Sequence, residues 1–258
     1  MIKNISLIII GLLIINISHA TFSIVAVDPE TGEIGSAGAT CIGAEDGAIV
    51  ISDIILGKGV IHTQSFYIPA NQNRARTRME LGDRPQEIMD WLDNNDIQNN
   101  SSQRQYLAVD LINDNANSAA FTGPQCFDEF HHVTGQNYAI AGNILISDDV
   151  VTDMETAFVN HNGPLSDKLM AAMQAAKRIG ADSRCTDFDI SSASAFIRVA
   201  RPCDTDSSLG QLPLDINVWV QSEIFEPIDE LQNQYDNHPA IDQCPSDLIF
   251  MHGFETDL

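Results

Sequence analysis

An α+β fold built on antiparallel sheets is what this chain predicts, on three observations. Apolar–polar alternation marks strands in groups, helical periodicity marks helices in blocks between those groups, and tight turns join two of the strand pairs. Strands and helices in separate blocks pack as layers, whereas a strict strand–helix alternation would have predicted a parallel, Rossmann-like sheet.

The elements follow in order. Phe22 to Asp28 alternates as a strand, Pro29-Glu30-Thr31-Gly32 is a turn, and Glu33 to Cys41 returns as a second strand. Gly35 and Gly38 in that strand permit close backbone approach. Ile49 to Leu56 and Gly59 to Gln64 are further strands. Asn71 to Leu81 reads as helix, and Asp83 caps another that runs to Leu92 with Pro85 in its first turn. Tyr106 to Ile112 and Ser118 to Thr122 form a hairpin, and the polar cluster at its tip is turn chemistry rather than a metal loop. Tyr138 to Leu145 is a strand. Ser147 or Asp148 caps a helix with Val151, Met154 and Phe158 on one face, and Leu165, Leu169, Met173 and Ala176 mark a second helix. Ser192 to Val199 and Leu214 to Val220 are late strands, and Glu226 to Tyr235 is a last helix with Pro227 near its start.

Residues 1–20 read as a signal peptide: Lys3 supplies the positive start, Ile5 to Ile17 the apolar run, and Ser18 and Ala20 the small residues before a cleavage site. The apolar run is too short and wrongly flanked for a membrane span, so no stable span is expected after its removal. Residues 21–236 form one domain and residues 237–258 a tail of different character. The formal charge of −23 disfavours a nucleic-acid partner, because such a surface repels phosphate backbones. Acids such as Asp187, Asp189, Asp204 and Asp206 lack the spacing of a calcium loop and read as solvated surface, so no metal or cofactor is expected.

Five cysteines in an exported chain imply disulfides, and the odd count leaves at least one free thiol or an intermolecular bond. Cys185 and Cys203 bracket a strand, whose ends lie too far apart for the two to pair. The tail from Cys244 to Glu255 resembles short C-terminal tails of some exported bacterial proteins, a sorting or anchoring element; the competing reading is a terminus pinned by a Cys244 disulfide to Cys203.

Cleavage after Ala20 would make Thr21 the first residue. Thr21 would then carry a nucleophilic hydroxyl and an α-amine whose ordinary pKa, roughly 7.7–8.0, suits it to act as a base at neutral pH. Chance placement of Thr after a signal peptide is the plain alternative.

Several segments together resemble one family. They are the stretch Thr21 to Thr40, Thr63-Gln64 with Pro69 and Arg74, Thr122-Gly123-x-x-Cys126, and Tyr138-x-x-x-Gly142-Asn143-Ile144-Leu145. Gly163-Pro164-Leu165 and Glu226-Pro227-Ile228 complete the set. In this order and spacing, over about residues 21–235, the chain resembles the DUF1028 proteins, of the N-terminal nucleophile (Ntn) hydrolase superfamily. The resemblance implies a four-layer αββα sandwich with two antiparallel sheets, and a nucleophile at the mature N-terminus. Ala141 stands where many members have Gln, and Ile68 and Asn71 replace a common Asn and Tyr around Pro69.

The chemistry expected is amide hydrolysis by Thr21. Backbone amides near Gly142-Asn143, or the Asn143 side chain, are candidate oxyanion donors, and Gln64 and Arg74 are candidates to orient a small-molecule or peptide-like substrate. Each has a plainer reading: Gln64 pairing with backbone, Arg74 on a helix surface, Asn143 satisfying a turn. His131 and His132 sit in a polar loop and read as surface residues, and Ser36 and Thr40 as strand residues. A serine hydrolase is disfavoured because no GxSxG occurs, and Cys41 is better explained by a disulfide than as a nucleophile. The rival function is an exported, non-catalytic binding or accessory protein on the same scaffold. The compartment is periplasm or medium, and homo-oligomerisation is compatible with such a fold though nothing in the sequence fixes a subunit number.

Overall fold

A computed structural model describes residues 21–242 and 244–245. The expected signal peptide and most of the tail lie outside these residues. The described chain is mixed α+β with two antiparallel sheets.

Strands β1 (Thr21–Val27), β2 (Ile34–Thr40), β3 (Ser52–Ile55), β4 (Gly59–Gln64), β5 (Gln105–Ile112) and β6 (Asn115–Thr122) are followed by β7 (His131–Thr134), β8 (Tyr138–Asn143), β9 (Ser194–Ala200) and β10 (Leu214–Trp219). One sheet has the order β10-β9-β2-β1-β8-β7 and the other β3-β4-β5-β6. Helices α1 (Pro69–Glu80) and α2 (Pro85–Asn94) pack on the four-stranded sheet. Helices α3 (Asp149–Asn160), α4 (Leu165–Ala176) and α5 (Pro227–Asp236) pack on the six-stranded one.

Strand parity dictates this packing, because successive side chains point to opposite faces. Phe22, Ile24 and Ala26 of β1 pack with Met154, Leu169 and Met173 of the helices. Val25 and Val27, the alternate residues, pack with Val60, Leu107 and Val109 of the opposing sheet. Ile61 and Ala108 of that sheet then face Ala75, Ile88 and Leu92 of α1 and α2.

Local expectations held where chain neighbours decide. The β5–β6 hairpin turns at Asn113 and Asp114, both in the left-handed region (φ 50° and 61°), as a two-residue turn matched to strand twist requires. The α5 start is capped by Glu226, which accepts from the Ile228 N–H at 3.1 Å.

Three expectations are corrected. Residues 49–51 form a 3-10 turn rather than the start of a strand: Ile49 and Ile51 bury against Phe196 with a strand-like spacing of two, but the Ile51 N–H bonds back to the Ala48 carbonyl at 3.3 Å. The α2 N-cap is Arg84 and not Asp83: the Glu87 carboxylate accepts the Arg84 N–H at 2.8 Å, and Asp83 is taken by Arg78. His131 and His132 lie on β7, an edge strand paired with β8, and not in a loop. Among the described residues, no helix is long and apolar enough to cross a membrane.

Two disulfides join Cys41 to Cys185 and Cys203 to Cys244, and Cys126 is a buried free thiol. Cys185 and Cys203 therefore do not pair with each other, and Cys203 holds the start of the tail.

Candidate active site

The space between the sheets is apolar at one end and polar at the other. The inward parity that places Val25 and Val27 in the apolar cluster also turns Thr21 and Ser23 inward. On β8 the same parity runs through Ala139 and Ala141 to Asn143, and on β4 from Val60 through His62 to Gln64. Inward positions thus change from aliphatic to polar as each strand approaches the end where Thr21 lies.

Thr21 begins β1 and pairs directly with Asn143 of β8. On its other side Phe22 pairs with Ala39, so Thr40 is the next β2 residue toward Thr21. The Thr40 Oγ1 accepts from Arg184 Nη2 at 3.2 Å. Arg184 in turn grips the buried Asp182 carboxylate through Nε at 3.0 Å and Nη2 at 2.7 Å. Asp182 Oδ2 also accepts the Cys41 N–H at 2.6 Å, beside the Cys41–Cys185 bridge. The end of β2 next to Thr21 is therefore fixed by one covalent bond and one charge-assisted pair.

A chain of buried side chains crosses from sheet to sheet behind Thr21. Ser23 Oγ donates to Gln64 Oε1 at 2.7 Å, and Gln64 Nε2 donates to Gln105 Oε1 at 2.7 Å. Asn143 Nδ2 donates to the same Gln105 oxygen at 3.0 Å. Gln105 Nε2 donates to the Gly142 carbonyl at 2.9 Å, to the His131 carbonyl at 3.3 Å and to Thr122 Oγ1 at 3.1 Å. Gln64, Gln105 and Asn143 are all fully buried.

His62 completes the inner end of this chain, with Nδ1 3.0 Å from Ser23 Oγ. Ser23 gives its proton to Gln64, so His62 donates from Nδ1 to Ser23. Burial, reinforced by the Arg198 charge, pushes the His62 pKa down to about 3 and keeps the ring neutral at neutral pH. The Ser23–His62 contact is thus not a nucleophile and its base: the serine proton is committed away from the imidazole.

Other parts of the anticipated motifs are structural. After Gln64 the chain reverses through Ser65 and Phe66, both left-handed (φ 58° and 61°). Cys126 Sγ donates to Ser65 Oγ at 2.9 Å, and burial pushes the thiol up to about 11. The Phe66 carbonyl accepts from Arg104 Nη1 at 3.3 Å. Arg104 is itself paired at 2.8 Å with Asp96, which takes Asn71 Nδ2 at 2.6 Å. A Cβ on Gly123 would meet the Ser102 carbonyl at 2.3 Å, so the backbone demands glycine there, whereas one on Gly142 would meet only the Leu145 side chain, at 2.8 Å.

The residues anticipated for the site divide accordingly. Thr21, Gly142, Asn143 and Gln64 come together, with Gln64 joined to the others through Gln105. Arg74 is held elsewhere, donating to the Asn95 carbonyl after α2. Ser23, His62, Gln105 and the Asp182–Arg184 pair were not anticipated. The signal for His62 and Gln105 was their parity: polar residues on the same strand face as Val60 and Leu107. Two surface cavities, of about 630 and 680 Å³, open elsewhere: one by Arg201, Tyr235 and Ile241, the other by Trp219, Phe225 and Glu226. Neither is lined by Thr21, Asn143 or Gln64, so the polar end between the sheets is distinct from both.

The family model described as "Family of unknown function (DUF1028)" matches residues 21–231, and the chain belongs to that family. It is similar to the crystal structure of protein SPO2555 from Silicibacter pomeroyi, described with the same family, at 26% identity and a TM-score of 0.67, over 84% of this chain and 88% of that one. No curated protein sequence matches the chain.

Proposed function

We propose that this DUF1028 protein is an exported Ntn-type amidohydrolase whose nucleophile is Thr21, exposed as the N-terminal residue when residues 1–20 are removed. The two sheets with their covering helices would then be the αββα sandwich of that superfamily. The observation that carries the reading is the position of Thr21: a nucleophile-bearing residue at the start of a central strand, paired with Asn143 at the polar end of the inter-sheet space. Two disulfides accord with an oxidising compartment, periplasm or medium.

In the proposed reaction, the Thr21 hydroxyl adds to an amide carbonyl while the Thr21 α-amine takes the hydroxyl proton. The resulting oxyanion is met by N–H donors near Gly142–Asn143. Its collapse breaks the C–N bond, the leaving amine receives the proton, and the acyl group stays on Thr21 as an ester. Water then adds, with the α-amine again as base, and releases the acid. A positioned base contributes about 10²–10⁴-fold to such steps. The substrate is a small-molecule or peptide-like amide, and Gln64 serves by fixing Gln105 and Ser23 rather than by touching it.

The test is the intact mass of the natively exported protein, before and after an epoxyketone that requires both hydroxyl and amine of an N-terminal threonine. The expected result is a chain starting at Thr21 with one adduct, absent in Thr21→Ala. A start elsewhere, or a blocked amine, removes the mechanism and leaves an exported binding protein. A Thr21 start without an adduct removes the activity but not the fold.

A further inference from the structure

The amide orientations behind Thr21 follow from backbone groups whose hydrogen-bonding sense is fixed. The Gly142 and His131 carbonyls only accept, so the nitrogen of Gln105 must face them, at 2.9 and 3.3 Å. Its oxygen must then face the other way, toward Gln64 Nε2 at 2.7 Å and Asn143 Nδ2 at 3.0 Å. Reversing the Asn143 amide would set its oxygen against the Gln105 oxygen, two acceptors in contact. Asn143 Oδ1 is therefore turned away from Gln105.

That oxygen is an anomaly. Asn143 is fully buried, and its Oδ1 has no hydrogen-bond partner among the described residues. Buried carbonyl oxygens are nearly always satisfied, so an orphan acceptor beside a candidate nucleophile calls for a donor that arrives later. The residue paired with Asn143 is Thr21. While a peptide bond precedes Thr21, its nitrogen carries a single N–H held in the peptide plane. After cleavage, the same nitrogen is an amine or ammonium with two or three N–H donors free to rotate.

We propose that Asn143 Oδ1 is the acceptor that holds the α-amino group of mature Thr21, and that Gln105 is the positioning residue that aims it. This rests on the reading above that the mature chain starts at Thr21. One N–H of the amine binds Asn143, which anchors the nitrogen near its own hydroxyl. Asn143 thereby acts through its oxygen on the base and not as an oxyanion donor through its nitrogen, which serves Gln105. The titratable and charged groups on the strands around Thr21 are His62 on β4, Tyr106 and Asp110 on β5, Tyr138 on β8, Arg198 on β9, and His131 and His132 on β7, with Asp182 and Arg184 beside Thr40. None is altered in the variants below.

The test is a pH titration of the Thr21 amine by ¹⁵N NMR, on exported full chain labelled at threonine, as wild type, Asn143→Leu and Asn143→Asp. An oxygen accepting from the amine favours its charged form, so its loss in Asn143→Leu lowers the amine pKa by about one unit, while the carboxylate of Asn143→Asp raises it by about as much. Opposite shifts from two substitutions at one buried site are not what general loosening produces. A pKa unmoved in Asn143→Leu, or moved the same way in both variants, overturns the proposal. A mature chain that does not start at Thr21 overturns both readings. Opposite shifts without an epoxyketone adduct uphold the amine anchor and overturn only the hydrolase.

Discussion

Gln105 on β5 donates from Nε2 to the Gly142 carbonyl on β8 at 2.9 Å, and so ties the four-stranded sheet to the six-stranded one through a single buried side chain. Its oxygen meanwhile receives Gln64 and Asn143. No aliphatic residue of the same length satisfies any of these groups. Gln105→Leu should leave the Gly142 carbonyl and the Gln64 and Asn143 amides short of partners. Each buried group so stranded costs about 1–3 kcal/mol, which gives a loss of roughly 3 kcal/mol or more. Urea unfolding is the check: the midpoint should fall with an unchanged m-value, and an unmoved midpoint would mean the bonds contribute nothing net.

His62 should make the protein lose stability as pH falls below about 6.5. Its folded pKa is lowered to about 3 from the ordinary 6.5, by burial first and the Arg198 charge second. Below about pH 6.5 the unfolded chain binds a proton that the folded chain refuses. Stability is therefore full above that pH and declines as pH falls toward 3, by up to about 1.4 kcal/mol per pH unit from this group. Asparagine can offer a donor near the place of Nδ1 without titrating. Thermal unfolding of His62→Asn between pH 7 and 4 should thus show a shallower slope than wild type, and parallel curves would remove His62 as the cause.

The two disulfides should differ in weight. The Cys41–Cys185 bridge spans a sequence separation of 144 and pins the end of β2, whereas Cys203–Cys244 spans 41 and holds the segment after α5. Loop closure alone gives about 5 kcal/mol for the first and about 4 for the second. The second loss should be smaller still, because the tail can detach without opening the core. Cys41→Ser with Cys185→Ser should lower the melting temperature more than Cys203→Ser with Cys244→Ser, and only the former should disturb Thr40 and its Arg184 contact. In wild type, Cys126 should react with a thiol reagent only on unfolding, because it is buried and its pKa is raised to about 11.

The sequence by itself determined the strands other than β7, the five α-helices, the β1–β2 and β5–β6 turns, and which positions face inward. Alternation, capping and turn chemistry depend on residues a few steps apart, and they read directly. It also marked Thr21 as the residue that export would expose. The 3-10 turn at 49–51 escaped because Ile49 and Ile51, both buried and two apart, mimic strand alternation, and the polar edge strand β7 escaped because His131-His132 shows no apolar alternation.

Only the tertiary structure decided what stands beside Thr21. Pairing of Thr21 with Asn143 joins residues more than a hundred positions apart, and nothing local in either strand specifies that register. The same holds for Gln105, whose polar side chain reads as an unremarkable strand residue until the opposing sheet supplies Gly142 and Asn143. Arg74 shows the converse: within the motif it looked like part of the site, yet its helix carries it to the Asn95 carbonyl. Local propensity fixes which face a side chain takes, and long-range packing of one sheet on another fixes what it meets there.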